Sequence, residues 1–317
     1  VHCHLEGCIP AEVVQRAAGR GGRAAPDRGP YRDLGAFLAA LDATCACITE
    51  PGEVTAIARD VGRSTAEDGV IYAEVIWNPG HWPAWKGAVA DFLDALDVGF
   101  AAAEDDGGAA VGLCISIGRW CSAEEATELV EGVLAIGHPR VVGVSIDGDE
   151  SAPGAGTDRF LPALNRARHA GLGIAVHAGE SSGPEGVWSA IDLLGADRVD
   201  HGIRALNDPA LLDALRDREI PLDICPSSNI ALGLVPDLRQ HPIERLRRHG
   251  VRVSVNTDDP VLFDTSLLDE LAACASTFSW SRHVVGEVTR TAFLSTFAPE
   301  DAKRAYLTRL DRYLEES

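Results

Sequence analysis

Four separated stretches of the chain each close a short apolar run on side chains able to bind a metal ion or move a proton. They are Val1-His2-Cys3-His4-Leu5-Glu6-Gly7, Ala175-Val176-His177-Ala178-Gly179-Glu180, Val199-Asp200-His201-Gly202 and Val255-Asn256-Thr257-Asp258-Asp259-Pro260. His2 and His4 stand two apart, so on an extended strand both imidazoles leave the same face and can share one ion. His177 offers a third nitrogen and Asp258 an oxygen. A nitrogen-rich set with one carboxylate suits Zn2+, with Fe2+ or another transition ion as the alternative, whereas Mg2+ and Ca2+ want more oxygen ligands. Glu180, just past His177, is read as a proton donor or acceptor rather than a ligand. The competing role is a cap or first-turn glutamate of the following helix. His201 is read either as a further ligand or as a contact to the water that the metal activates.

Such chemistry requires the four stretches to meet, and the pattern of the remaining chain says how. Short β-branched runs at Val1–His4, Val70–Trp77, Ala110–Ile117, Val141–Ile146, Gly173–His177, Arg198–Asp200, Pro221–Ile224 and Val251–Val255 read as eight strands. Helical patterns lie between them, at Ala88–Ala103, Ala123–Ala135, Asp158–Ala170, Pro184–Leu194, Pro209–Asp217 and Ile243–His249, with a helical insertion over Leu34–Asp68 and three helices closing the chain. This alternation predicts an α/β fold, a (β/α)8 TIM barrel forming a single domain over residues 1–317. In such barrels the chemistry sits at the C-terminal ends of the strands, and the four stretches fall at the ends of the first, fifth, sixth and eighth. The chain contains no Met and opens at Val1, so the first strand is expected to lack residues upstream.

The net charge of −20 repels phosphate backbones and argues against a nucleic-acid partner. No apolar run is long enough for a membrane span and no targeting signal is visible. The eight cysteines show no Cys-x-x-Cys spacing and read as free thiols of a cytoplasmic protein. His138, His169, His241, His249 and His283 are assigned surface or packing roles, and His81, after the second strand, is a candidate substrate contact. Gly19–Pro30 reads as a mobile surface loop.

The motifs HCHLEG (2–7), HAGE (177–180), DHG (200–202), CPSSN (225–229) and NTDDP (256–260) run in order along nearly the whole chain. In this they resemble the adenosine deaminase branch of the amidohydrolase superfamily. The resemblance implies a barrel with one zinc ion per chain that replaces an exocyclic purine amine by oxygen. It places His2, His4, His177 and Asp258 on the metal, Glu180 as proton shuttle and His201 on the attacking water. Gly148 falls on a backbone contact to the purine, and Asp259 on the group facing N7. Zinc eases ionisation of a bound water by roughly nine pKa units, or about 12 kcal/mol, which no side chain here matches. Delivering a proton to ring N1 requires Glu180 to be protonated when substrate binds. N7 only accepts, so Asp259 must be protonated too.

The substrate end is mixed. Glu6 stands where adenosine-specific relatives carry Asp, and Gly148-Asp149-Glu150 resembles the adenosine type while Asp147 resembles the adenine type. The expected substrate is a small aminopurine, with an adenosine-like nucleoside as the first reading and adenine or 6-aminodeoxyfutalosine as alternatives. A binuclear amidohydrolase is disfavoured because Val141–Glu150 contains no Lys. A cytidine-deaminase type is disfavoured because its His-x-Glu and Pro-Cys-x-x-Cys pair is missing. A catalytically inactive binding relative would need a broken ligand set, and none is broken.

Overall fold

The computed structural model describes residues 1–22 and 24–316. Among them seven strands form one parallel sheet in chain order: β1 (Tyr72–Trp77), β2 (Ala110–Gly118), β3 (Val141–Asp147), β4 (Gly173–Ala178), β5 (Arg198–His201), β6 (Leu222–Ile224) and β7 (Val253–Val255). Helices α1 (Ala11–Arg20), α2 (Leu34–Cys45) and α3 (Pro51–Glu67) precede β1. After successive strands come α4 (Val89–Asp105), α5 (Ala123–Ile136), α6 (Leu161–His169), α7 (Pro184–Trp188, continued by a π turn over Ser189–Leu193), α8 (Pro209–Asp217), then α9 (Pro226–Ala231) and α10 (Ile243–Arg248). The short α11 (Pro260–Phe263) and the longer α12 (Leu267–Phe278), α13 (Arg282–Ser295) and α14 (Glu300–Glu315) follow β7.

The first of the eight expected strands is not a regular strand. Val1–Leu5 runs between β7 and β1 and joins them through two single bridges, Cys3 to Asp258 and His4 to Ile76. Four backbone hydrogen bonds stitch it in: His4 N–H to Asp258 O (2.7 Å), Asp258 N–H to His2 O (3.2 Å), Ile76 N–H to Cys3 O (2.8 Å) and Leu5 N–H to Ile76 O (2.8 Å). The run is cut short because the chain turns into a 3-10 helix at Glu6–Cys8. The segment nonetheless fills the eighth position and closes the ring, so the fold is an α/β barrel of the TIM type.

Most boundaries lie within two or three residues of those expected, because caps mark them. Ser122 and Glu125 form a capping box at the start of α5, and Gly137 ends it in the left-handed conformation. Asp208 caps α8, with Pro209 at its first position. Helix α1 adds to the helices expected from the sequence pattern. It begins straight after Pro10 and takes up Gly19 and Arg20, so the expected loop is shorter; Arg23 of that loop lies outside the described residues.

Alternate strand residues face opposite sides. Outward, Val144, Ile146, Ile174, Val176 and Val199 pack against Leu164, Val187, Leu211 and Leu215 in a fully buried layer, each side chain contributing about 1.5–3 kcal/mol. Inward, the barrel is polar. Arg198 is paired with Glu74 and lies 3.3 Å from Asp223, all three completely buried. This charged floor lies beneath the histidines. None of the eight cysteines forms a disulfide. No helix among the described residues is long and apolar enough to cross a membrane.

Candidate active site

The strand ends bring the expected side chains to one place. His177 and Asp200 are register partners on β4 and β5, as are Ala178 and His201 one step further on. Val1–Leu5 supplies His2 and His4, and the turn after β7 supplies Asp258. His4 Nε2 lies 3.0 Å from His177 Nε2 and 3.4 Å from Asp258 Oδ1. His2 Nε2 lies 3.1 Å from the same Asp258 oxygen. One donor atom each from His2, His177, His201 and Asp258 fall within 4.8 Å of one another. His201 and Asp258 hold left-handed backbone (φ 66° and 61°), a conformation costing a non-glycine residue about 1–3 kcal/mol. Strain of that kind persists where surrounding contacts impose it.

Hydrogen bonds on the far side of the rings decide which nitrogens are bare. His2 Nδ1 is 3.1 Å from the Asp223 carbonyl and His177 Nδ1 is 3.0 Å from the Ile146 carbonyl. A carbonyl only accepts, so both Nδ1 atoms carry the hydrogen, and in the neutral rings that bind a metal both Nε2 lone pairs point inward. His2 Nε2 is completely buried and has no hydrogen-bond partner. Converging lone pairs beside a carboxylate repel one another without a cation, and a divalent transition ion fits this donor set. Asp200 backs the cluster, 3.3 Å from His177 Nδ1 and 3.8 Å from His2 Nδ1. Ser228 Oγ donates to Asp258 Oδ2 at 2.6 Å.

Glu180 is buried beside this cluster, its Oε1 3.6 Å from His201 Nε2. Burial, with Asp258 and Glu150 nearby, pushes its carboxyl well above the usual range. Its backbone is held from below by Glu150, whose Oε1 accepts from Gly179 N–H (2.9 Å) and whose Oε2 accepts from the N–H groups of Glu180 (2.8 Å), Ser181 (2.9 Å) and Ser182 (3.2 Å). Asp259 is likewise pushed well above the ordinary range by burial and by the neighbouring Asp258 and Glu6, and its Oδ1 is buried without a partner.

Glu6, His81, Asp147, Gly148 and Asp259 line the same cavity as His4, His177, Glu180, His201 and Asp258, and Leu34, Phe37, Leu38 and Leu41 of α2 form its apolar wall. Glu6 Oε1 accepts from Asn78 N–H (2.9 Å) and Trp82 Nε1–H (2.7 Å), while Oε2 is buried without a partner. Burial raises its pKa to about 7. Gly148 adopts φ 98°, and His81 is tied through Nδ1 to Asp42 (2.6 Å).

Several participants carried no role in the sequence reading. Asp200, Ser228 and Asn229 sat inside quoted motifs, and Glu150 closed the Asp147–Glu150 run, so the signal was adjacency to a motif. His241, assigned to surface or packing, is buried and hydrogen-bonds to Asn229 at 3.1 Å. Nothing but the flanking Pro242 marked it.

Comparison with known proteins agrees with this architecture. The family model "Adenosine deaminase" matches residues 1–313. An adenine deaminase of Sinorhizobium medicae is 33% identical over 318 residues, covering 98% of this chain and 97% of that protein. The crystal structure of adenine deaminase from Arthrobacter aurescens superposes with a TM-score of 0.91 at 27% identity, over 99% of this chain and 98% of its own. An amidohydrolase structure from Burkholderia ambifaria with bound Zn gives 0.90 at 26% identity, over 99% and 89%. The chain belongs to the adenosine deaminase family, and is a metal-dependent aminohydrolase that deaminates purines by hydrolysis.

Proposed function

We propose that the protein is a zinc-dependent adenine deaminase, converting the 6-amino group of the free base to the 6-oxo group with release of ammonia. His2, His4, His177 and Asp258 hold one zinc ion per chain within a single catalytic domain. The ion, when bound, supplies a water activated for attack near neutral pH. Glu180 holds the proton that ring N1 receives, Asp259 faces N7 as a protonated donor, and the Gly148 backbone contacts the purine. His201 contacts the oxygen that attacks C6.

Glu6 carries the choice of adenine over an adenosine-like nucleoside, which was the first reading of the sequence. Its Oε1 is committed to Asn78 and Trp82, whereas Oε2 is buried and unpartnered inside the cavity. A carboxyl poised near neutrality offers an acceptor to a ring N–H, and the imidazole half of a free aminopurine has one where a nucleoside carries its sugar. A site built around such a pair can reject the analogue lacking the N–H by about 10⁴–10⁵. The similarity to adenine deaminases over nearly the full length supports the same reading. Glu6→Gln keeps the acceptor for Asn78 and Trp82 but turns an amide N–H2 toward the base. It should lower kcat/KM for adenine about 10- to 100-fold with the fold intact; an unchanged value would remove Glu6 from substrate recognition.

A further inference from the structure

Asn229, in the middle of α9, is completely buried between two imidazoles. Its Oδ1 lies 3.1 Å from His241 Nε2 and its Nδ2 lies 3.2 Å from His201 Nδ1. The direction of this row is set at its far end. The Ile243 backbone N–H, at the first turn of α10, points at His241 Nδ1 over 3.2 Å, and an N–H only donates. His241 Nδ1 is therefore bare, and in the neutral ring the hydrogen sits on Nε2, which donates to Asn229 Oδ1. That orients the amide and turns its N–H2 end onto His201 Nδ1. His201 Nδ1 accepts, so its own hydrogen sits on Nε2, the nitrogen 3.6 Å from Glu180 Oε1 and 3.9 Å from Asp258 Oδ2. Burial holds His241 neutral, lowering its pKa to about 4.

We propose that Asn229 and His241 are positioning residues that lock His201 in the tautomer with hydrogen on Nε2. His201 then presents a donor, not a base, to the reacting centre, and a nitrogen that carries hydrogen is not a metal ligand. The wrong tautomer of a well-placed imidazole is costly in catalysis even when its geometry is kept. The functional half of the inference rests on His201 lying at the reacting centre, as proposed above; the tautomer itself does not.

The test is long-range proton–nitrogen NMR on the zinc-loaded full chain with ring-15N histidine, His201 being assigned by its loss in His201→Asn. The expected spectrum has a bare Nδ1 and a protonated Nε2 at His201. Asn229→Asp offers Nδ1 only acceptor oxygens. It should invert the pattern and lower kcat at least about 100-fold on whichever aminopurine the wild type deaminates, with zinc content unchanged. His241→Gln still donates to Asn229 Oδ1, so it should keep the wild-type tautomer and most of the activity, while His241→Ala should give mixed tautomers. Hydrogen on Nδ1 in the wild type, or an unaltered pattern in both Asn229→Asp and His241→Ala, would overturn the lock. A wild-type pattern as expected in a protein inactive on adenine would overturn the substrate reading and leave the lock standing.

Discussion

Burial near Asp258 and Glu150 lets the Glu180 carboxyl keep its proton at neutral pH, as the proposed transfer to a ring nitrogen requires. Two outcomes follow with a definite sign. Activity should be flat below the raised pKa of Glu180 and fall as pH rises through it. For stability, the unfolded chain ionises Glu180 near the ordinary 4.5 while the folded chain keeps it protonated. The folded state then binds more protons, and stability falls as pH rises above that ordinary value. Glu180→Gln never titrates. Its melting temperature in the metal-free enzyme should equal that of the wild type in acid and exceed it increasingly toward pH 8; an equal gain at all pH values would contradict a raised pKa. The same variant should retain zinc and lose about 10²- to 10⁴-fold in kcat. His177→Ala removes a nitrogen whose tautomer is set by Ile146, and metal analysis should find the zinc content lowered; full zinc with full activity would refute the assignment. The type and spacing of these residues made them legible, since two histidines share one strand face and one carboxyl follows His177. Glu150, Asn229 and His241 act through other residues, by hydrogen bonds whose partners lie 12 to 32 positions away, and no local pattern announces that.

Among the elements, the 3-10 helix Glu6–Cys8 packs against the turn after β7 at Gly7. A Cβ there would lie 2.1 Å from Asp259 Oδ1 and 2.4 Å from Asp259 Cα, closer than any real contact. Gly7→Ala must therefore move the Asp259 backbone. It should cost about 1–3 kcal/mol of stability and raise KM for the aminopurine, while the metal stays bound. Unchanged KM and melting temperature would show that Asp259 is not where the purine sits. The eight-element rhythm was readable because parallel strands buried on both faces give short apolar runs between helices with clear caps. Two features were not. The first run looks like any strand, yet only Cys3 and His4 bridge before Glu6–Cys8 turns away. Helix α1 follows Pro10 with no side-chain cap to mark its start.

At the scale of the molecule, a polar barrel interior carries a completely buried arginine and three carboxylates beneath a ring of histidines. A bound cation links the site to the fold, so chelation should lower the melting temperature and zinc should restore it in proportion to ln(1 + [Zn]/Kd). The net charge of −20 says nothing about the substrate. The barrel and the reaction class were legible in motif order, but the far end of the substrate was not. Glu6 and Asp147 pointed one way and Gly148-Asp149-Glu150 the other, and the unpartnered Oε2 of Glu6 becomes visible only in three dimensions. The most direct test is ammonia release by the zinc-loaded enzyme from adenine, adenosine, 2′-deoxyadenosine and 6-aminodeoxyfutalosine, compared as kcat/KM. Adenine should exceed each nucleoside by at least about 10⁴. A nucleoside turned over as well as adenine would contradict the account.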